Sequence, residues 1–125
     1  MRLLLDSHAF LWWLVGDKRL SATARRAIAD GSAEVTVSAA TIWELEVKSA
    51  AGRLDLGGLD LLLELGKEGF DELPIAARHA AHAARLPPHH SDPFDRVLVA
   101  QALGESLTLV TKDDALRAYG VPRLW

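Results

Sequence analysis

Short unbroken apolar runs alternate along this chain with stretches whose apolar residues recur every three or four positions. Leu3-Leu4-Leu5 ends abruptly at Asp6, the pattern of a strand buried on both faces. Ser7 then caps a helix expected over 8–15 and closed by Gly16, and Ser21 begins a second helix through Ala29. The β-branched run Glu34-Val35-Thr36-Val37 predicts another strand. Ser38 or Thr41 starts a longer helix to about Ala51, stopped by Gly52. After the Gly57-Gly58 break, a helix is expected over 59–67 within a leucine-rich, acidic surface segment, and a short strand over 70–73 before Pro74. The Ala-rich stretch 76–84 favours helix, and Pro87-Pro88-His89-His90-Ser91 reads as a rigid loop. Asp92-Pro93 opens a helix to about Gly104, since Asp caps well and Pro suits the first helical position. Leu107–Thr111 is a buried strand, and 113–119 a short terminal helix.

Alternating strands and helices with apolar strands imply a parallel sheet covered on both faces. The expected class is therefore α/β. No repeat, low-complexity tract or linker interrupts the pattern, and 125 residues suit a single domain spanning 1–125.

Half the residues are hydrophobic and the net charge is −3, so disorder is not expected. The absence of cysteine removes disulfides, thiolate-bound zinc, iron–sulfur clusters and thiol nucleophiles. The longest apolar run, Ala9 to Val15, is far short of the ~20 residues a bilayer demands, and the N-terminus lacks a signal-peptide pattern. These features lead to the expectation of a protein without membrane association, located in the cytoplasm. The slight excess of acids argues against a nucleic-acid partner if it is read alone.

Ligands of open parallel sheets bind beyond the carboxyl ends of the strands, so residues just after each strand matter most. Asp6 follows the first strand, Glu44 lies two turns into the helix after the second, Asp95 is in the first turn after Asp92-Pro93, and Asp113 and Asp114 follow the last strand. Carboxylate positions from four distant parts of the chain can thus converge. Such a cluster calls for a counterion, and a hard divalent cation such as Mg²⁺ prefers oxygen donors. Sites of this kind suit phosphate-ester hydrolysis, where the cation activates water and offsets developing charge.

Each acid also has a plainer reading. Asp6 and Asp92 can be helix caps, Glu44 can pair with Lys48 at i,i+4, Asp95 can complete a capping box, and Asp113 and Asp114 can begin a helix. Lys48, Arg53 and Arg96 can serve phosphate, a carboxylate or only the surface. The histidines, including the His79/His82 pair and His89-His90, read better as exposed or packed side chains than as zinc ligands. His8, two residues past Asp6, could hydrogen-bond near the site. Of the adjacent Trp12 and Trp13, one is expected to pack inward and the other to lie at an interface. No Gly-rich phosphate loop or serine-nucleophile elbow is present. A different class also fits: a metal-binding or phospho-acceptor regulatory module, with Lys112 as the late lysine.

The segments Leu3-Leu4-Leu5-Asp6-Ser7-His8-Ala9-Phe10-Leu11-Trp12-Trp13, Ser38-Ala39-Ala40-Thr41-Ile42-Trp43-Glu44, Asp92-Pro93-Phe94-Asp95-Arg96 and Leu109-Val110-Thr111-Lys112-Asp113 together resemble the four motifs of PIN-domain ribonucleases of the VapC toxin type. The resemblance implies a three-layer α/β/α sandwich around a short, mainly parallel sheet. It further implies a Mg²⁺- or Mn²⁺-dependent endoribonuclease with Asp6, Glu44, Asp95 and Asp113 as metal-binding catalytic acids. Its expected associates are an RNA substrate, a small antitoxin and a second copy of the chain. Ser7 stands where threonine is more usual, which keeps the hydroxyl. Asp114 and Asp92 are alternatives for completing the site. With four acids assigned to metal, 13 remain against 14 basic residues, so the acidity becomes a statement about metal occupancy.

Overall fold

The computed structural model describes residues 1–125. Its elements in chain order are β1 (Arg2–Leu5), α1 (Ser7–Val15), α2 (Ala22–Ala29), β2 (Glu34–Ser38), α3 (Ala39–Ala50), α4 (Leu61–Glu68), β3 (Asp71–Leu73), α5 (Ala77–Arg85), α6 (Pro93–Glu105), β4 (Thr108–Val110), a 3₁₀ helix (Asp114–Tyr119) and β5 (Arg123–Leu124). The sheet has the order β3-β2-β1-β4-β5, and every pairing is parallel.

β1 holds the centre because Leu3, Leu4 and Leu5 can be buried on both faces without leaving a polar group unpaired. Leu3 and Leu5 face a cluster built with Phe10 and Trp12 of α1, Ala24 and Ile28 of α2, Leu45 of α3, and Leu61 and Leu65 of α4. Leu4 faces the opposite side, against Leu98, Val99 and Ala102 of α6 together with Leu109 and Leu116. The alternation of one strand thus divides the core into two layers, which makes the expected α/β/α sandwich.

Helix starts follow local chemistry. α1 begins one residue earlier than the sequence suggested: Asp6, not Ser7, is its N-cap, its Oδ1 accepting the Ala9 N–H at 2.8 Å. Gly16 ends α1 in the left-handed region (φ 66°), which a side chain would resist. Ser38 caps α3 and Asp92 caps α6. β5 has no counterpart in the sequence reading, because two residues carry no periodicity; its pairing with β4 creates it. The leucine-rich segment becomes helical only from Leu61, with Leu61 and Leu65 inward and Leu62 and Leu63 outward.

Strand order reverses beside β1. The β2 side runs outward one way and β4-β5 the other, so the carboxyl ends of β1 and β4 flank a crevice at the switch point. Backbone pairing continues one residue past the strands there, with the Asp6 N–H donating to the Val110 carbonyl at 3.1 Å.

An acidic cleft at the switch point of the sheet

The crevice holds a cavity of about 330 Å³ lined by Asp6, Ser7, His8, Glu44, Lys48, Asp92, Asp95, Lys112 and Asp113, with no hydrophobic residue. All four acids anticipated from the sequence line this one cavity; Arg53 and Asp114 do not.

Asp6 is buried at the end of β1. One carboxylate oxygen caps α1, and the Thr111 hydroxyl hydrogen-bonds the carboxylate while accepting the Asp113 N–H at 3.1 Å. Thr111 is fully buried and couples two of the acids, a role that its place at the end of a strand and in the fourth motif does not reveal. Burial pushes the Asp6 carboxyl above the usual aspartate range, with the Thr111 and Ala9 hydrogen bonds opposing and the nearby Glu44 charge adding to the rise.

Glu44 is buried one and a half turns into α3, and both its oxygens are engaged. The Ser7 hydroxyl donates to Oε1 at 2.6 Å, and the Lys48 ammonium meets Oε2 at 2.6 Å. The i,i+4 pair with Lys48 is therefore real, yet it lies inside the cleft. Trp43, 60% exposed, sets its ring edge against Phe94 at 5.0 Å between centroids. That contact ties the neighbours of Glu44 and Asp95 together and bridges α3 to the start of α6.

Asp95 lies in the first turn of α6, where the Asp92 cap accepts the Phe94 N–H at 2.8 Å. Its carboxyl is pushed up to about 7, first by burial, then by Asp92, with Glu44 and Asp6 adding and His90 opposing. Asp113 follows β4; its Oδ1 accepts the Ala115 N–H at 3.0 Å and its Oδ2 the His90 ring at 3.1 Å.

Two readings change here. Arg96 is no surface charge and touches no carboxylate: its guanidinium donates to the carbonyls of Ala83, Leu86, Pro87 and His90 at 2.8–3.2 Å and to the Tyr119 hydroxyl at 3.3 Å. His90, placed among exposed or packed histidines, has ring Nε2 within 3.5 Å of both Asp113 and Asp95. Only the return of the 86–92 loop to the cleft creates this contact, and sequence spacing carries no trace of it. His79 is buried and satisfied, its Nδ1 accepting the Ala76 N–H and its Nε2 meeting Glu105 at 2.9 Å. Trp12 packs inward as expected, whereas Trp13 docks within the chain, donating to Glu68 at 3.1 Å.

The donor set suits a divalent cation. It offers carboxylate oxygens, the ligands hard cations prefer. Glu44 has its counter-charge in Lys48, whereas Asp6 is buried and Asp95 half-buried without a Lys or Arg partner, and burial together with the neighbouring acids raises both carboxyls above the usual aspartate range. A carboxylate oxygen of Asp95 and one of Asp113 also lie within 4.8 Å of each other, with the His90 ring within the same reach of both.

Comparison with known proteins agrees with this architecture. Residues 3–122 match the PIN domain family. The chain is 37% identical over 123 residues to Ribonuclease VapC22 of Mycobacterium tuberculosis, covering 96% of this chain and 93% of that one. A solved complex, VapBC2 from Rickettsia felis bound to a DNA fragment from their promoter, contains a chain with TM-score 0.74 and 12% identity, covering 98% of this chain and 97% of that one. VapBC-1 from nontypeable Haemophilus influenzae gives TM-score 0.68 and 18% identity, covering 98% and 96%. These two likenesses show a shared fold.

Proposed function

The chain belongs to the PIN domain family, and on that premise we propose that it is an endoribonuclease, the toxin of a toxin–antitoxin pair, with a catalytic site built from Asp6, Glu44, Asp95 and Asp113. The observation that carries this reading is the convergence of acids from four distant segments on one polar cleft in which Asp6 and Asp95 lack counter-charge.

Asp6, Glu44, Asp95 and Asp113 would hold Mg²⁺ or Mn²⁺. When bound, a divalent cation there acidifies water and offsets charge developing on a phosphodiester. The chain's own groups prepare the site. The Asp6 cap and the Thr111 hydroxyl hold the first carboxylate at the mouth of β1. Ser7 and Lys48 fix both oxygens of Glu44, so its carboxylate is oriented before any ligand arrives. Lys112, on the lining of the same cleft, is a positive group available to a phosphate once the acids are neutralised by the cation.

The relatives support the remaining parts of the reading. VapC22 is named a ribonuclease, and the two similar solved structures described above are named VapBC. The proposed partners are an RNA substrate, a small antitoxin that covers the cleft, and a second copy of this chain. No helix is long and apolar enough to cross a membrane, and the proposed location is the cytoplasm.

The test is purified protein incubated with structured RNA and Mg²⁺ or Mn²⁺. Cleavage that stops with chelator and in both Asp6→Ala and Asp95→Ala supports the reading; equal cleavage by wild type and Asp6→Ala defeats the site assignment. Growth arrest on expression, relieved by a small protein encoded alongside, tests the toxin role. Sedimentation of the purified chain tests the homodimer.

A further inference from the structure

We propose that His90 is a positioning residue of the cleft, a hydrogen-bond donor on an immobilised loop that holds Asp113 toward Asp95. The inference rests on the nuclease reading and assigns a role to a residue outside its four acids.

The loop is fixed from several sides. The His90 N–H donates to the Tyr119 hydroxyl at 2.9 Å, and the His90 carbonyl accepts from Arg96 at 3.2 Å, so both backbone polar groups of this residue are bound. The same guanidinium grips Pro87, Leu86 and Ala83, closing the end of α5 onto the loop. His89 sets its ring edge against Tyr119 at 5.1 Å. Arg96 is one residue past Asp95, and Tyr119 ends the 3₁₀ helix that Asp113 caps. The clamp therefore links the two segments that carry Asp95 and Asp113.

The ring's protonation follows from its partners. The Asp92 N–H donates to Nδ1 at 3.1 Å, so Nδ1 must present its lone pair and the proton resides on Nε2. Nε2–H then donates to Asp113 Oδ2 at 3.1 Å, with Asp95 Oδ2 at 3.5 Å. Direct ligation of a metal through Nε2 would move the proton to Nδ1, where it would point at the Asp92 N–H, two donors facing each other. The backbone of the α6 cap thus selects the donor form.

Asp113 needs such a partner. At 38% side-chain exposure it is the most open of the Asp95–His90–Asp113 group, and it stands at the start of a 3₁₀ helix rather than a full α-helix. One oxygen is committed to the Ala115 N–H; His90 fixes the other on the side facing Asp95.

The experiment uses two complementary variants. In His90→Asn the side-chain oxygen can still accept the Asp92 N–H, but the side chain is too short for Asp113. In His90→Gln the terminal amide reaches Asp113 but loses the Asp92 contact. Mn²⁺ binding is measured calorimetrically with the metal alone, cleavage is followed on total transfer RNA, and melting reports folding. His90→Asn is expected to melt close to wild type while losing 10- to 100-fold in Mn²⁺ affinity or kcat. His90→Gln is expected to recover most of that loss, and His90→Asn added to Asp113→Asn is expected to cost little further. Long-range ¹⁵N–¹H spectra of the metal-free protein should show the proton of His90 on Nε2, retained when Mg²⁺ is added. Wild-type behaviour of His90→Asn, parallel losses in both variants together with melting temperature, or a proton on Nδ1 each overturns the proposal. A wild type that binds no Mn²⁺ and cuts no RNA instead brings down the nuclease reading, and the role of His90 with it.

Discussion

Replacing Asp95 by asparagine should make the metal-free protein more stable while disabling its response to metal. The carboxyl of Asp95 is pushed up to about 7 by burial and by Asp92, Glu44 and Asp6. From an ordinary value near 3.9, a rise of about three units corresponds to about 4 kcal/mol at full strength. The side chain is still 23% exposed, and solvent screening reduces the cost of the ionised form to about 1–2 kcal/mol. The positive end of α6 returns about 0.5 kcal/mol to a carboxylate in its first turn. Repulsion and desolvation win by roughly 1 kcal/mol. The sign with pH follows from proton counting: between about 4 and about 7 the folded chain holds a proton at Asp95 that the unfolded chain has released, so metal-free stability rises as pH falls through that window. Asp95→Asn should therefore melt about 3–6 °C above wild type at pH 8 in chelator, and the gap should close at pH 5. Adding Mn²⁺ at pH 8 should reverse the order, because wild type gains binding energy and the variant does not. Differential scanning calorimetry over pH 5–8, with and without Mn²⁺, measures all of this. An Asp95→Asn protein that melts at or below wild type in chelator at pH 8, or with an equal gap at both pH values, refutes the reasoning.

Two further substitutions probe the supports of the cleft. Lys48→Met removes the only ammonium on Glu44, leaving a buried carboxylate with Ser7 alone; urea denaturation should show a loss of about 1–2 kcal/mol in chelator, partly restored by Mn²⁺. Arg96→Lys keeps the charge but replaces a planar fork that meets four carbonyls and one hydroxyl. It should cost about 2–3 kcal/mol by the same assay and release the 86–92 loop to faster amide exchange.

The strands and acids were legible because each leaves a local mark. Leu3-Leu4-Leu5 cannot be placed elsewhere than a sheet centre, and Asp6, Glu44, Asp95 and Asp113 each occur at a definite offset from a strand or a cap. A cap and a place in the cleft coincide at two acids: Asp6 caps α1 and lines the cleft, and Asp113 caps the 3₁₀ helix and lines it too. A cap uses one carboxylate oxygen and leaves the other for the site. A capping role therefore does not exclude an acid from the cleft. His90, Arg96 and Thr111 were not legible, since what defines them is the partner across the fold. The contacts of His90 with Asp113 and of Arg96 with Ala83 depend on how a loop returns to the sheet, and no periodicity encodes that. β5 is the same case, a strand that exists only because β4 offers it an edge.

The charge of the cleft makes a last prediction. Its lining carries five carboxylates, Asp6, Glu44, Asp92, Asp95 and Asp113, against Lys48 and Lys112, and Lys48 is already spent on Glu44. A phosphodiester entering the metal-free cleft meets a field of its own sign, at a place where low dielectric sharpens the repulsion. Each divalent cation adds two positive charges at the same point, enough to reverse the local sign. RNA affinity should therefore be weak in chelator and rise with Mg²⁺ or Ca²⁺ far more than with Na⁺ at equal ionic strength, which only screens. Asp95→Asn, which weakens the cation's hold, should lose most of the divalent-specific part while keeping the response to Na⁺. Fluorescence anisotropy of a labelled RNA at low temperature, read before appreciable cleavage, separates the two contributions. Equal affinity in chelator and in Mg²⁺ would mean that the RNA is held on a face other than this cleft.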